Sequence, residues 1–363
     1  MPEQENQPVL QEPTAVFACG GVSYTERDVI DAALFRGDLE PIWKELLRSI
    51  ECENQADELE IEEGALDEAA ETFRYDHDLI TAEETEHWLE GRGLTLEDFG
   101  EYFARRYWGK NWEEEVEPEA MDYVSAPGNL RELLRADLNL SGAFEKMATL
   151  LGWRVAAALA AKDEEADPEL IAAEEKLFFE RTGIDETALT DWLSGLGRDR
   201  GWLNEMLRME GVTRRKREQL LTPRARQSEL AALRLPLTRF EVEIVEVESK
   251  DAAREASLCV TSDGLSMEEV AQEGRYHFRR VTLLLQEIDE GLHQKFLSVP
   301  VGSVLEPLPR DEGFQVCRIM EKVEPNADDP ALREQIDRSI LERHFSQLVA
   351  NHVQWQGPLA YVQ

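Results

Sequence analysis

The sequence predicts an α+β fold that is mostly α-helical: a helical N-terminal region, a small sheet domain, and a C-terminal helix packing back on the helical region. Three observations predict it. Apolar residues recur every three or four positions from Tyr24 to about residue 235, the spacing of helices with one buried face. After Pro236 the period drops to two, with Phe240, Val242 and Ile244 alternating with Glu241 and Glu243, as in a strand. Helical spacing then returns over Leu332–Val353, where Ile336, Ile340, Phe345, Leu348 and Val349 form an apolar side. At 363 residues with 42% hydrophobic content, the chain is long enough for two or three cores.

Taken in order, residues 1–13, acidic and rich in Gln and Pro, form a flexible tail ahead of a first helical unit at 14–115. Thr25 followed by Asp28 is a relative of the capping box and opens a helix through Ile30, Ala33 and Leu34. Ile42, Trp43, Leu46, Leu47 and Ile50 make the next stripe, which residues 57–73 continue with Ala65, Leu66, Ala69, Ala70 and Phe73 inward. Thr81 caps a short piece that buries Trp88 and Leu89 and breaks at Gly91 and Gly93; the following helix starts near Thr95 and carries Leu96, Phe99, Tyr102 and Phe103. A second helical unit, 116–235, repeats this plan at an offset of 104: Trp88-Leu89 meets Trp192-Leu193, and Gly91 and Gly93 meet Gly195 and Gly197. Turn glycines and a large anchor coincide, as expected of an internal duplication.

Between Arg198 and Arg239 the charge inverts, with Arg208, Arg214, Arg215, Arg226 and Arg234 among the cations. These either neutralise the acidic helices through ion pairs or form a site for an acidic peptide. The sheet domain occupies 236–325: a strand from Phe240 to Val247, helices over Lys250–Ser262 and Met267–Gln272, a strand at Val281–Leu285, a helix over Asp289–Leu297, and a final strand at Gly313–Val323. Residues 326–363 supply a linker and the C-terminal helix, predicted to cover the Ile42, Trp43, Leu46 and Leu47 stripe.

Composition removes several function classes. With 39 Lys+Arg against 76 Asp+Glu the net charge is −37, which repels phosphate backbones and anionic lipid, so neither nucleic acid nor membrane is expected as a partner. Cys19, Cys52, Cys259 and Cys317 are far apart and make no CxxC pair, so neither a zinc site nor a disulfide framework is expected. The N-terminal stretch has no apolar signal region, which points to the cytoplasm. His344 and His352 lie two helical turns apart without a third ligand, and neither Asp76-His77-Asp78 nor Glu84–His87 makes a zincin pattern. Phosphate loops and nucleophile elbows are missing too, so no metal or cofactor is expected.

The segment His293–Val323, with Gly302, Pro307, Gly313 and Phe314 at its marked positions, resembles the C-terminal half of a parvulin-type peptidyl-prolyl isomerase. The similarity extends over about residues 236–325 in element order. A helical N-terminal region, one such domain and a closing helix are similar to the layout of SurA-like chaperones, whose opening turn Gly21–Val29 also resembles. The proportions look like those of peptide-maturation proteins related to this isomerase family, which are associated with ribosomally made, post-translationally modified peptides.

Where active parvulins carry two histidines on facing strands, this chain has Glu241, Val242 and Glu243 on the first strand and Gln315 on the closing one; His277 is the histidine nearby. Prolyl isomerisation lowers a barrier of ~18–20 kcal/mol by desolvating and orienting a twisted amide, and a glutamine can still donate one hydrogen bond. The resemblance therefore implies a peptide-binding chaperone with little or no isomerase activity. Its groove would use Phe240, Val242, Phe296, Leu297, Phe314 and Val316, and its partners would be a polypeptide or precursor peptide and a peptide-modifying enzyme. The alternative is an active prolyl isomerase or another peptide-modifying enzyme.

Overall fold

The computed structural model describes residues 15–56, 59–118, 120–163, 167–310, 313–326 and 329–361; the expected tail at 1–13 lies outside them. The fold is α+β and mostly helical. It divides into two compact units, one running to Glu218 and resuming at Arg343, the other spanning Gln219–Glu342.

The helical unit opens with a hairpin, β1 (Ala15–Cys19) and β2 (Val22–Thr25), turned by Gly20-Gly21 with φ of 60° and 84°, as a two-residue hairpin with both central φ positive requires. Five helices follow: α1 (Glu26–Arg36), α2 (Glu40–Gln55), α3 (Ala65–Asp76), α4 (Ala82–Gly91) and α5 (Leu96–Asn111). Thr25, Thr81 and Thr95 each cap their helix, with Asp28, Glu84 and Asp98 closing the box back onto the cap. Of the stretch expected to be helical from residue 57, residues 57 and 58 lie outside the described residues, residues 59–64 are not helical, and the helix starts at Ala65. Of the apolar residues carried on α5, Leu96 is exposed, while Phe99 and Tyr102 are buried.

The next five helices, α6 (Gly128–Leu140), α7 (Ala143–Ala160), α8 (Pro168–Thr182), α9 (Glu186–Gly195) and α10 (Arg200–Leu220), reproduce the first five. At the offset of 104, α4 falls on α9 end to end and α5 starts where α10 starts. The turns match as well: Leu94 N bonds to Leu89 O at 2.9 Å and Arg198 N to Leu193 O at 2.8 Å, while Gly93 and Gly197 take φ of 64° and 60°.

The two halves exchange their first helices. The core of the first half, Phe73, Leu89, Phe99 and Tyr102, is completed by Ala136 and Leu140 of α6. Reciprocally, Phe35 of α1 stacks on Phe178 of α8 at 5.1 Å and meets Trp202 of α10 edge-on at 6.2 Å. Arg135 of α6 donates to Arg92 O beyond α4 at 2.7 Å, and Arg27 of α1 donates to Leu196 O beyond α9; the two carbonyls are themselves 104 residues apart.

The second unit contains α11 (Pro223–Ala232), β3 (Arg239–Val247), α12 (Lys250–Thr261), α13 (Met267–Gly274), β4 (His277–Leu284), α14 (Glu290–Ser298), β5 (Leu308–Arg310) and β6 (Gly313–Val323). Its sheet is antiparallel throughout, in the order β4-β3-β6-β5. A final helix, α15 (Pro330–His352), leads into β7 (Val353–Trp355).

The first half of α15 belongs to the sheet unit, where Asp337 takes a bidentate pair from Arg226 at 2.5 and 2.7 Å and Ser339 bonds to Glu229 at 2.7 Å. Its second half belongs to the helical unit: Phe345 stacks on Trp153 at 5.4 Å, Val349 and Val353 enter the main core, and β7 pairs with β1. Trp355 packs edge-on to Phe17 at 5.3 Å, and its ring comes within 3.3 Å of where a Cβ on Gly152 would stand. The helix was expected to cover the Ile42–Leu47 stripe; α7 and β1 receive it instead, because Gly152 leaves room for an indole.

The basic stretch is largely spent on ion pairs inside each unit. Arg198 bonds to Asp31 at 2.6 Å and Asp28 at 2.8 Å, Arg214 to Glu174 at 2.6 Å and Arg215 to Asp167 at 3.0 Å.

Candidate functional site

Strand alternation gives the sheet two faces, and both are packed. On the first, Phe240, Val242 and Ile244 of β3 join Cys317 and Ile319 of β6, beneath Phe296 of α14. On the second, Val245, Val247 and Val316 pack against Ala253 and Ala256 of α12 and Met267 and Val270 of α13. The six residues expected to line a groove are therefore divided. Phe240, Val242 and Phe296 lie on the first face with 0, 2 and 3% exposure, Val316 lies on the second with 0%, and Leu297 stands 39% exposed. Phe314 packs half-buried with the second cluster. They line no common groove, because period two sends Phe314 and Val316 to the side opposite Gln315 and Cys317.

The polar candidates separate in the same way. Glu243 is buried on the second face and bonds to Arg280 Nε at 2.9 Å and Nη2 at 2.7 Å, while Glu241 accepts from Thr282 Oγ1 at 3.0 Å. Gln315 belongs to the first face and donates through Nε2 to Glu246 Oε1 at 3.0 Å. Glu246 also meets Arg279 Nη2 at 3.3 Å and His277 Nδ1 at 3.5 Å. Gln315 and His277 thus converge on Glu246, which sequence reasoning passed over; its signal was its place two residues beyond Ile244. Burial pushes the neighbouring Cys317 thiol up to about 12, so this sulfur is no nucleophile at neutral pH. The corner offers amide and guanidinium donors to a carbonyl.

Among the described residues, no cluster of three or more His, Cys, Asp or Glu could hold a metal ion. His344 meets Phe345 edge-on at 5.6 Å, and partial burial together with Lys216 holds its pKa below the usual imidazole value.

Open space is found in the helical unit. One cleft of about 1150 Å³ has a floor of Leu39, Trp43, Leu47, Tyr123, Ile184 and Trp192. Trp43 is buried in it, donates through Nε1 to the main-chain oxygen of Met121 at 2.7 Å and meets the Tyr123 ring edge-on at 5.7 Å. A second cleft of about 1000 Å³ takes Ile42 and Leu46 from α2, with Leu66, Phe73, Tyr102 and Phe103. The stripe that looked in sequence like one face awaiting a helix is divided between two clefts. No helix among the described residues is long and apolar enough to cross a membrane.

No family model and no curated protein matches the chain. Among solved structures, it is similar to a peptidylprolyl isomerase, PrsA, from Bacillus cereus, at 12% identity and a TM-score of 0.36 over 60% of this chain and 85% of that one. PrsA from Bacillus subtilis gives 16% identity and a TM-score of 0.22 over 59% of this chain and 84% of that one. A Campylobacter jejuni structure described as one of two SurA-like chaperones, PEB4 and the periplasmic Cj1289, gives 7% and 0.20 over 60% of this chain and 87% of that one. At TM-scores of 0.20 to 0.36 these likenesses carry no functional weight.

Proposed function

We propose that the chain is a polypeptide-binding, chaperone-like protein of the parvulin/SurA type with little or no isomerase activity, holding a ribosomally made precursor peptide for a modifying enzyme in the cytoplasm. The observation that carries this reading is the Trp43 cleft, about 1150 Å³ with Leu39, Leu47, Tyr123, Ile184 and Trp192 in its lining, whose buried indole donates to the main-chain oxygen of Met121. Apolar concavities with a few placed polar groups are where ligands bind. The sheet faces, by contrast, are filled by their own helices, and Gln315 is engaged with Glu246.

Leu47 and Ile184 line the cleft, half-buried and packed against the main core, and Leu47→Asp and Ile184→Asp each place a charge in it. In fluorescence anisotropy with labelled extended peptides, each substitution should weaken binding at least about tenfold, a loss of roughly 1.4 kcal/mol, at a temperature where a thermal melt shows the variant still folded. Affinities equal to wild type in both variants would sink the reading.

A second reading, an active prolyl isomerase or another peptide-modifying enzyme, draws on the corner of Gln315, Arg279 and His277 around Glu246, whose donors could hold a substrate carbonyl. Acceleration of a proline-limited refolding phase is its test.

A further inference from the structure

Resting on the peptide-binding reading, we infer that the Trp43 cleft selects extended segments whose apolar residues are interspersed with Lys or Arg, and that the acidic strap between α5 and α6 makes the selection. The strap exists because the two halves differ here. Helix α10 runs to Leu220, whereas α5 stops at Asn111, five residues short of the matching point. Among the described residues from Trp112 to Pro127, the chain forms no strand and a single helical turn, Tyr123–Ser125. Structureless connections of this length inside a compact unit are uncommon and usually functional.

Val116, Glu117, Pro118 and Met121 of the strap form one wall of the cleft. Among the described residues, no main-chain hydrogen bond is made by Glu113–Pro118. An extended ligand can use such free N–H and C=O groups by strand addition.

Charge decides which ligand. Glu113, Glu114, Glu115 and Glu117 are exposed, and none has an ion-pair partner among the described residues. The cations of the cleft are already engaged: Lys44 with Glu40 at 2.6 Å, Arg48 with Glu45 at 3.6 Å and with Gly109 O at 2.7 Å, and Arg181 with Phe35 O at 2.6 Å. Five carboxylates, Glu117 among them, and three cations line the cleft, so its excess charge is negative, on a chain of net charge −37. Aromatic rings on the floor also suit the aliphatic stems of Lys and Arg.

The test uses the full chain and three fluorescein-labelled peptides of identical apolar pattern, with Lys/Arg, Ser or Asp/Glu at the intervening positions. At low salt the basic peptide should bind about tenfold tighter than the Ser peptide, and the acidic one more weakly still. At about 0.5 M salt that advantage should collapse. Replacing Glu113, Glu114, Glu115 and Glu117 with Gln should bring the affinities of the basic and Ser peptides together. Leu47→Asp adds negative charge yet should weaken all three peptides, which separates binding in the cleft from bulk attraction. If the three peptides bind alike, or the fourfold Gln variant keeps the basic preference, charge selection by the strap is wrong although peptide binding stands. If no peptide binds, the peptide-binding reading falls and takes this one with it.

Discussion

The reciprocal turns at Gly93 and Gly197 allow the duplication to be tested energetically. Both glycines sit in the left-handed region, at φ of 64° and 60°. A Cβ on Gly93 would stand 2.5 Å from Arg135 Nη2, and one on Gly197 2.8 Å from Arg27 Nη2. Gly93→Ala therefore has two costs: about 1 kcal/mol for a side chain in that conformation, and part of the ~1.5–3 kcal/mol of a hydrogen bond from a charged donor. The second arises as the guanidinium swings off Arg92 O, which it now holds at 2.7 Å. Arg135 is about a third exposed and keeps Glu26 at 2.8 Å, so the lower end applies and the total is about 2–3 kcal/mol. Arg27 is 59% exposed, and Gly197→Ala should cost slightly less. Urea melts of each variant, alone and combined with Arg135→Ala or Arg27→Ala, make two double-mutant cycles. With the arginine already gone, the added methyl should cost only the backbone part, leaving a coupling of about 1 kcal/mol of the same sign in both cycles. A cost for Gly93→Ala that is the same with and without Arg135 would show that the arginine is not seated there, and the exchange of first helices would lose its support.

Phe345→Ala removes a buried ring stacked on Trp153 and should destabilise the helical unit by ~3–5 kcal/mol in urea; a loss under about 1 kcal/mol would mean that the end of α15 is not part of that core. In proline-limited refolding, where uncatalysed phases last ~10–100 s, stoichiometric protein should give little acceleration. Strong acceleration that disappears in Gln315→Ala would instead make the sheet corner an active site. Hydrogen bonds from Thr81 and Ser266 hold the exposed carboxyls of Glu84 and Glu269 below their ordinary pKa. A depressed folded pKa stabilises above the unfolded value and is lost as pH falls through the folded one, so melting temperature should drop below about pH 4. Glu84→Gln should flatten that drop, and a profile identical to wild type would count against the capping box.

Much of this was legible in the chain. Thr25, Thr81 and Thr95 announced helix starts because a hydroxyl followed three residues later by a carboxylate has one main use, and the spacing from Trp88 to Trp192 anticipated the repeated helices. The N-terminal sheet was not legible: Ala15–Cys19 is too short to show a period, and its partner Trp355 pairs with Phe17 from the far end of the sequence. The sheet face was misjudged for a different reason. Alternation identified the inward residues of β3, but that α12 and α13 cover one face and α14 the other is a tertiary fact. The Gln315–Glu246 pair depends on register, and a bulge between Glu241 and Val242 shifts the pairing of β3 with β6. No single-strand pattern carries that shift.

The divergence of the two halves bears on how α2 comes to line two clefts. At the position of Ser49 the second half has Trp153, and at that of Arg48 it has Gly152. Ser49 is small enough for Gly109 of α5 to approach until a Cβ there would fall 2.5 Å from its hydroxyl, and Arg48 donates to that residue's carbonyl at 2.7 Å. Helices α2 and α5 thus close on each other without help. Trp153 permits no such approach; it takes Phe345 as its partner, while Gly152 accommodates Trp355. One copy is completed by the chain's own C-terminus. The core of the other is completed by α6, while Trp43 and Leu47 of α2 line one open cleft and Ile42 another. Introducing Ser49→Trp should therefore force α2 and α5 apart and destabilise the first half by ~1–3 kcal/mol, the usual cost of overpacking, in a urea melt. A variant as stable as wild type would mean that the close approach at Gly109 does not hold the first half together, and that its clefts need another explanation.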